Sequence, residues 1–238
     1  MPRLRLGRML RDTFAVYRAR WVVLVPVTMV VLAPQAIGDA LIGEIEVEGV
    51  KRPEDLVKLA SVPVAVAVNL AGEALLSGIV AAFVIDWRRG GEVSPLREIM
   101  RRIPYGRLIA IDLILTLGTA LGIVLLIVPG ILVFTYLLIA PALIEIEHVT
   151  IRESIRRSIT LVSASFWRVL GFAVLVFALT DAITTVLESP IHGLHGEALF
   201  NLAIEGVVEP IVTVAVVVLA LALIDLHEQE AKAEAAGA

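Results

Sequence analysis

Long apolar runs alternate with short arginine-rich segments along this chain, and six of the runs are long enough to cross a bilayer: about 21–43, 63–86, 108–127, 131–147, 167–187 and 199–226. The run from Leu108 to Ile144 decides how the middle of the chain is divided. Asp112 is its only ionised residue. As one helix those 37 residues would extend roughly 55 Å at 1.5 Å per residue. A bilayer core is roughly 30 Å thick and takes about 20 residues, so the run predicts two spans. Pro129 has no N–H and Gly130 tolerates conformations that other residues avoid. Val128-Pro129-Gly130 therefore reads as a tight turn between antiparallel spans. The competing arrangement is a pair of re-entrant half-helices meeting at Pro-Gly. Leu108–Ile127 is already long enough to cross, which favours the turn.

A second periodicity lies in the polar segments. Leu6, Leu10, Phe14 and Tyr17 share one helical face; so do Leu96, Ile99, Met100 and Ile103; so do Ile151, Ile155, Ile159 and Val162. Each set sits in an arginine-rich stretch just before a span. Such helices lie in the membrane interface, apolar face in the acyl chains and arginines toward lipid phosphates. The predicted fold is an all-α membrane protein, a single polytopic domain over residues 1–238. Its six transmembrane helices form three helical hairpins, each preceded by a cytoplasmic amphipathic interfacial helix.

Composition supports this: 58% of the residues are hydrophobic and the mean hydropathy is +0.91, against roughly 45–50% apolar residues in soluble domains. The N-terminal stretch is amphipathic and studded with arginine, unlike a cleavable signal, so the first span is expected to direct insertion. Charge then orients the spans. Six arginines precede Trp21, six more lie in 87–107, and 148–168 carries Arg152, Arg156, Arg157 and Arg168. On the other side, 44–62 has three basic residues against five acids and 188–198 has none. The positive-inside rule puts both termini in the cytoplasm, in a plasma or inner membrane. Trp21, Trp87 and Trp167 fall at the cytoplasmic ends of spans, as an aromatic belt would. Arg8, Arg11, Arg101, Arg102, Arg156 and Arg157 are the candidate contacts to anionic lipid headgroups. The bland alternative is that these arginines only set topology. The absence of cysteine excludes disulfides and thiolate metal sites.

The stretch from Gly122 to Gly171 carries "LLIVPGILV", "APALIEIE" and "RESIRRSITLVSASFWRVLGF". It resembles the membrane domain fused to some bacterial and archaeal glycerophosphodiester phosphodiesterases, and its free-standing relatives. The matching positions are Pro129, Gly130, Pro141, Glu145, Arg157, Ser158, Phe166, Trp167 and Arg168. Ser163-Ala164 departs from the Lys-Gly common there, and no phosphodiesterase domain is present. The resemblance thus implies an architecture and a tie to lipid or envelope biology, and no reaction.

No nucleotide-binding, serine-hydrolase or zinc-protease motif occurs. Two weaker constellations remain. His192 and His195, flanked by Glu188 and Glu197, have ligand chemistry suited to Zn²⁺; in a loop with Pro190, Gly193 and Gly196, a solvated turn is the plainer reading. The second set is acids inside the spans. Glu73 shares a face with Asn69 and Ser77. Asn201, Glu205, Glu209 and Thr213 repeat at four-residue steps, and Pro210 should kink that helix. Asp181 shares a face with Thr184 and Thr185, and Asp39 and Gln35 lie toward the outer end of the first span. A charge at the bilayer centre costs about 2.5–3.5 kcal/mol even on insertion scales. These acids must therefore be neutralised, hydrated in a cavity or occupied by a cation. Carboxyls bridging helices beside Asn and Thr would be a purely structural use of the same residues.

The expected function is a permease-like or lipid-interacting membrane module with an outward-facing acidic cavity that binds through Glu73, Asn69, Asp181, Glu205, Glu209 and Asn201. The rivals are a membrane-embedded metal-dependent hydrolase and a structural scaffold subunit of a membrane complex. No cofactor is expected, though the acids and histidines admit a divalent cation. Expected partners are the bilayer with its anionic headgroups and a second copy or a membrane-complex subunit, not nucleic acid.

Overall fold

Pro141 sets the shape of the centre of the molecule. Its missing N–H and its ring are incompatible with a helical turn ending on Leu137. In a computed structural model the fourth apolar run is accordingly two helices, α5 (Ile127–Leu137) and α6 (Ala140–Glu147), with the break at Leu138-Ile139. The structure describes residues 6–42, 53–88, 95–188 and 197–237. Among them the remaining elements are α1 (Leu6–Ile42), α2 (Pro53–Arg88), α3 (Leu96–Arg102), α4 (Tyr105–Leu125), α7 (Ile151–Ser163), α8 (Phe166–Glu188) and α9 (Glu197–Gly237). All are helical, and six stretches are long and apolar enough to cross a membrane: Leu6–Pro34, Leu70–Arg88, Tyr105–Leu125, Ile127–Glu147, Phe166–Leu187 and Leu199–Ala235. The number of spans agrees with the sequence reading. The chain is a multi-pass membrane protein.

Three local expectations change. The turn between the third and fourth runs is at Leu126, extended at φ −166°, and not at Pro129-Gly130. Pro129 falls in the first turn of α5, where a missing N–H costs nothing because that donor has no intrahelical acceptor. Gly130 is helical; a Cβ there would lie 2.4 Å from Ile123 Cγ1 and 2.7 Å from the Ile123 nitrogen. A Cβ on Gly122 would lie 2.6 Å from Gly130 Cα. The glycines therefore let two antiparallel helices touch backbone to backbone, as small residues do between membrane helices. Second, the N-terminal amphipathic segment is not a separate helix: α1 runs unbroken from Leu6. Third, α2 begins at Pro53 and α9 continues to Gly237, past the expected ends at 63 and 226.

The core lies between α1, α2, α9 and the α5–α6 break. Leu24, Ile79, Val80, Ile139, Leu143, Ile144, Val214 and Leu219 are fully or almost fully buried there. Helix α7 packs on this break, and its buried face is not the isoleucine stripe. Ser154, Ser158, Leu161 and Val162 are buried, Ile151 and Ile155 are half-buried, and Ile159 is exposed. The reason is a hydrogen bond. Breaking the helix frees carbonyls, and Ser158 Oγ donates to the Tyr136 carbonyl at 2.6 Å. Small serines bring α7 close enough to do this. Thr150 caps α7 by accepting from the Glu153 N–H. Arg157 spans the junction, donating through Nε and Nη2 to the Glu147 carboxylate at 3.2–3.4 Å.

Candidate functional site

Helices α2 and α9 run parallel, and one ion pair fixes their register. Near one end Arg88 pairs with Asp225. Counting back 15 residues on α2 reaches Glu73, and 16 on α9 reaches Glu209, which is roughly 22–24 Å along each axis. The two carboxylates therefore arrive at one depth, and Glu209 lies within electrostatic range of both Glu73 and Glu205. Helix α4 brings a third side. Asp112, two turns into that helix, lies within electrostatic range of Glu73. It is buried, with Oδ2 fully enclosed and without a hydrogen-bond partner among the described residues. The result is a row of four carboxylates, Glu205, Glu209, Glu73 and Asp112, contributed by α9, α2 and α4. Glu73 and Glu205 are exposed at the edge of the row, Glu209 is half-buried and Asp112 is covered.

Asn201, one turn before Glu205, also carries an enclosed oxygen, Oδ1, without a hydrogen-bond partner among the described residues. Several span threonines bond to their own helices. Thr213 donates to the Glu209 carbonyl at 3.2 Å, and Thr28, Thr135 and Thr180 bond back to their own helices in the same way. Pro210 leaves the carbonyl of Gly206 without a helical donor. The next carbonyl, of Val207, accepts from Tyr17 Oη at 2.9 Å.

Of the residues expected to bind, Glu73, Glu205 and Glu209 come together and Asn201 lies one turn away on α9. Asp181 is exposed on α8. The backbone of Asn69 lies on α2, but its side chain, with those of Gln35 and Asp39, is outside the described residues, as are His192 and His195. Asp112 is the functional candidate that the sequence reading passed over. Its signal was there: one acid in 37 apolar residues.

The candidate headgroup arginines divide. Arg102 pairs with Glu98, Arg156 with Glu153 at 2.9 Å and Arg157 with Glu147. Arg8, Arg11 and Arg101 are exposed. Outside the spans, the hydrogen bond from Arg156 holds the Glu153 carboxyl below its ordinary range.

A polytopic helical bundle with a row of carboxylates leading from its surface to a covered position is the class of protein this geometry defines. Residues 48–221 match the uncharacterised protein family UPF0259, and the chain belongs to it. No counterpart of the phosphodiesterase association suggested by residues 122–171 was found. No curated protein and no solved structure matches the chain.

Proposed function

We propose that this protein is a permease-like membrane module in which the carboxylates of α2, α4 and α9 form a proton-binding chamber. The observation that carries this reading is the row Glu205–Glu209–Glu73–Asp112, which leads from exposed to covered positions with no Lys or Arg along these stretches of α2, α4 and α9. Carboxylates closely spaced in a low-dielectric interior share protons, because like charges there repel strongly. Rows of intramembrane acids serve proton relays for this reason. Among the described residues no three His, Asp or Glu side chains are arranged to hold a metal ion.

The topology belongs to the same proposal. The positive-inside rule puts the arginine-rich ends, with α3 and α7, at the cytoplasmic face, and the six spans form three hairpins. Glu205 and Glu209 then lie toward the outer half, and the chamber opens outward.

The test is proton flux in liposomes that enclose a pH-sensitive dye, driven by a potassium diffusion potential. Wild-type protein is expected to carry protons above the protein-free rate. Glu73→Gln, Glu209→Gln and Asp112→Asn, each retaining its fold, should bring the rate down to background. Flux at background for the wild type, or unaltered in all three variants, would refute the chamber.

A further inference from the structure

A second polar feature lies at the arginine-rich end, away from the acids. An open surface depression of about 580 Å³ is lined by Arg102, Pro104, Tyr105, Arg107, Ile144 and His148, with Gly106; Arg102, Arg107 and His148 are exposed around it. That volume is within the roughly 300–1,000 Å³ typical of small-molecule sites. We propose that it binds a phosphate group, and that Arg107, Arg102 and His148 are its ligands.

The walls are built and held. Ile144 is fully buried, and Ile99 and Ile103 anchor α3. A Cβ on Gly78 would lie 2.8–2.9 Å from Ile103, so α2 is cut away to receive that side chain. Tyr105 Oη donates to the Met100 carbonyl at 2.7 Å, which ties α3 to the start of α4. The charges favour an anion. Arg102 gives one edge of its guanidinium to Glu98, and the planar fork has five donors, so others remain. Arg107 adds a second fork, the shape that binds phosphate oxygens in pairs. The acid next to the cavity, Glu147, is already matched by Arg157. Glu145, also on α6, does not line it but is buried behind it, within electrostatic range of Tyr105, so the anion is held by the two guanidinium groups against that acid.

His148 is the independent sign. It ends α6 at φ 55°, and is the only residue other than glycine with positive φ among the described residues. A helix end of this kind usually takes glycine, because a side chain in the left-handed region costs roughly 1–2 kcal/mol. The conformation turns the chain sharply at the cavity rim and keeps an imidazole in its lining. Backbone strain of this kind gathers at ligand sites.

Phosphate can come from a lipid headgroup or from a soluble ion, and both carry the same chemistry. The test is thermal unfolding of the purified protein in neutral detergent. One arm is titrated with inorganic phosphate and the other with dihexanoyl phosphatidylglycerol. A ligand that binds only the folded state raises the melting temperature by mass action. A saturable rise in either arm is expected, weakened about tenfold or more in Arg107→Gln, as loss of a charge-assisted hydrogen bond predicts. The lipid arm alone responding would assign a headgroup; the phosphate arm responding would assign a free phosphate group. Lys232→Gln, remote on α9, should titrate as the wild type does. His148→Gly guards against a variant that merely fails to fold. It relieves the backbone, so it should melt no lower than the wild type without ligand, yet respond more weakly to the probe. No response in either arm, equal responses in wild type and both site variants, or an equal loss in Lys232→Gln would overturn the proposal.

Discussion

Gly122→Ala asks whether the α4–α5 contact is as close as the geometry says. The added methyl would lie 2.6 Å from Gly130 Cα and 2.7 Å from the Gly130 nitrogen. Those are backbone atoms of the facing helix and cannot rotate aside, so the helices must separate. Separation also loosens the next contact, where Gly118 faces Val133 Cγ1 at 3.1 Å from an added Cβ. Overpacking of this kind costs about 1–3 kcal/mol. The same substitution gains roughly 0.5–1 kcal/mol in helix preference. The net expectation is a loss of about 1–2 kcal/mol. Gly171→Ala is the matched control. It is also mid-helix, but nothing lies within 4 Å of an added Cβ, so only the helix term acts and the variant should gain about 0.5–1 kcal/mol. The opposite signs make the comparison independent of the detergent. The assay is reversible unfolding in mixed micelles of rising dodecyl sulfate fraction, followed by circular dichroism. Gly122→Ala and Gly130→Ala both crowd one shared contact, so once one has forced the helices apart the second adds less, and the double variant should lose less than the sum. A Gly122→Ala protein as stable as the wild type would refute the close approach.

Two further predictions follow from the interface of α7. Ser158→Ala leaves the Tyr136 carbonyl without its donor and should cost about 1 kcal/mol in the same assay; Ser163→Ala, an exposed position bonded only to the Thr160 carbonyl, should be close to neutral, and an equal loss at both would refute the special role of the helix break. The Glu153 carboxyl is held low by Arg156, so its contribution is present above the ordinary Glu range near pH 4.3 and is lost as pH falls through the lowered folded value. The gap in melting temperature between wild type and Glu153→Gln should be small, close on acidification and shrink with salt; a gap that widens on acidification would refute the sign.

What the sequence determined by itself is the set of properties that need no neighbour. Apolar runs of bilayer length give six spans, because a backbone in hydrocarbon must satisfy its hydrogen bonds within the helix. Arginine placement identifies one set of ends, and a lone acid such as Asp112 is visible as a cost wherever the run folds. Tertiary structure decided the rest. Proline marks a helix irregularity without saying which kind: Pro129 opens α5 while Pro141 breaks the fourth run, and the difference lies in whether a donor was needed there. The periodicity of Ile151, Ile155 and Ile159 identifies an amphipathic helix. Its buried side nevertheless carries Ser154 and Ser158, and the Tyr136 carbonyl that Ser158 reaches is free only once Pro141 has interrupted α5 and α6. The spacing of Glu205 and Glu209 fixes a shared face, yet meeting Glu73 and Asp112 depends on the parallel register of α2 and α9. The phosphate cavity is the furthest from the sequence. Tyr105 and His148 are distant in the chain and weak as motifs, and only the packing of α3 and α4 on the end of α6 puts two guanidinium groups and an imidazole around one space.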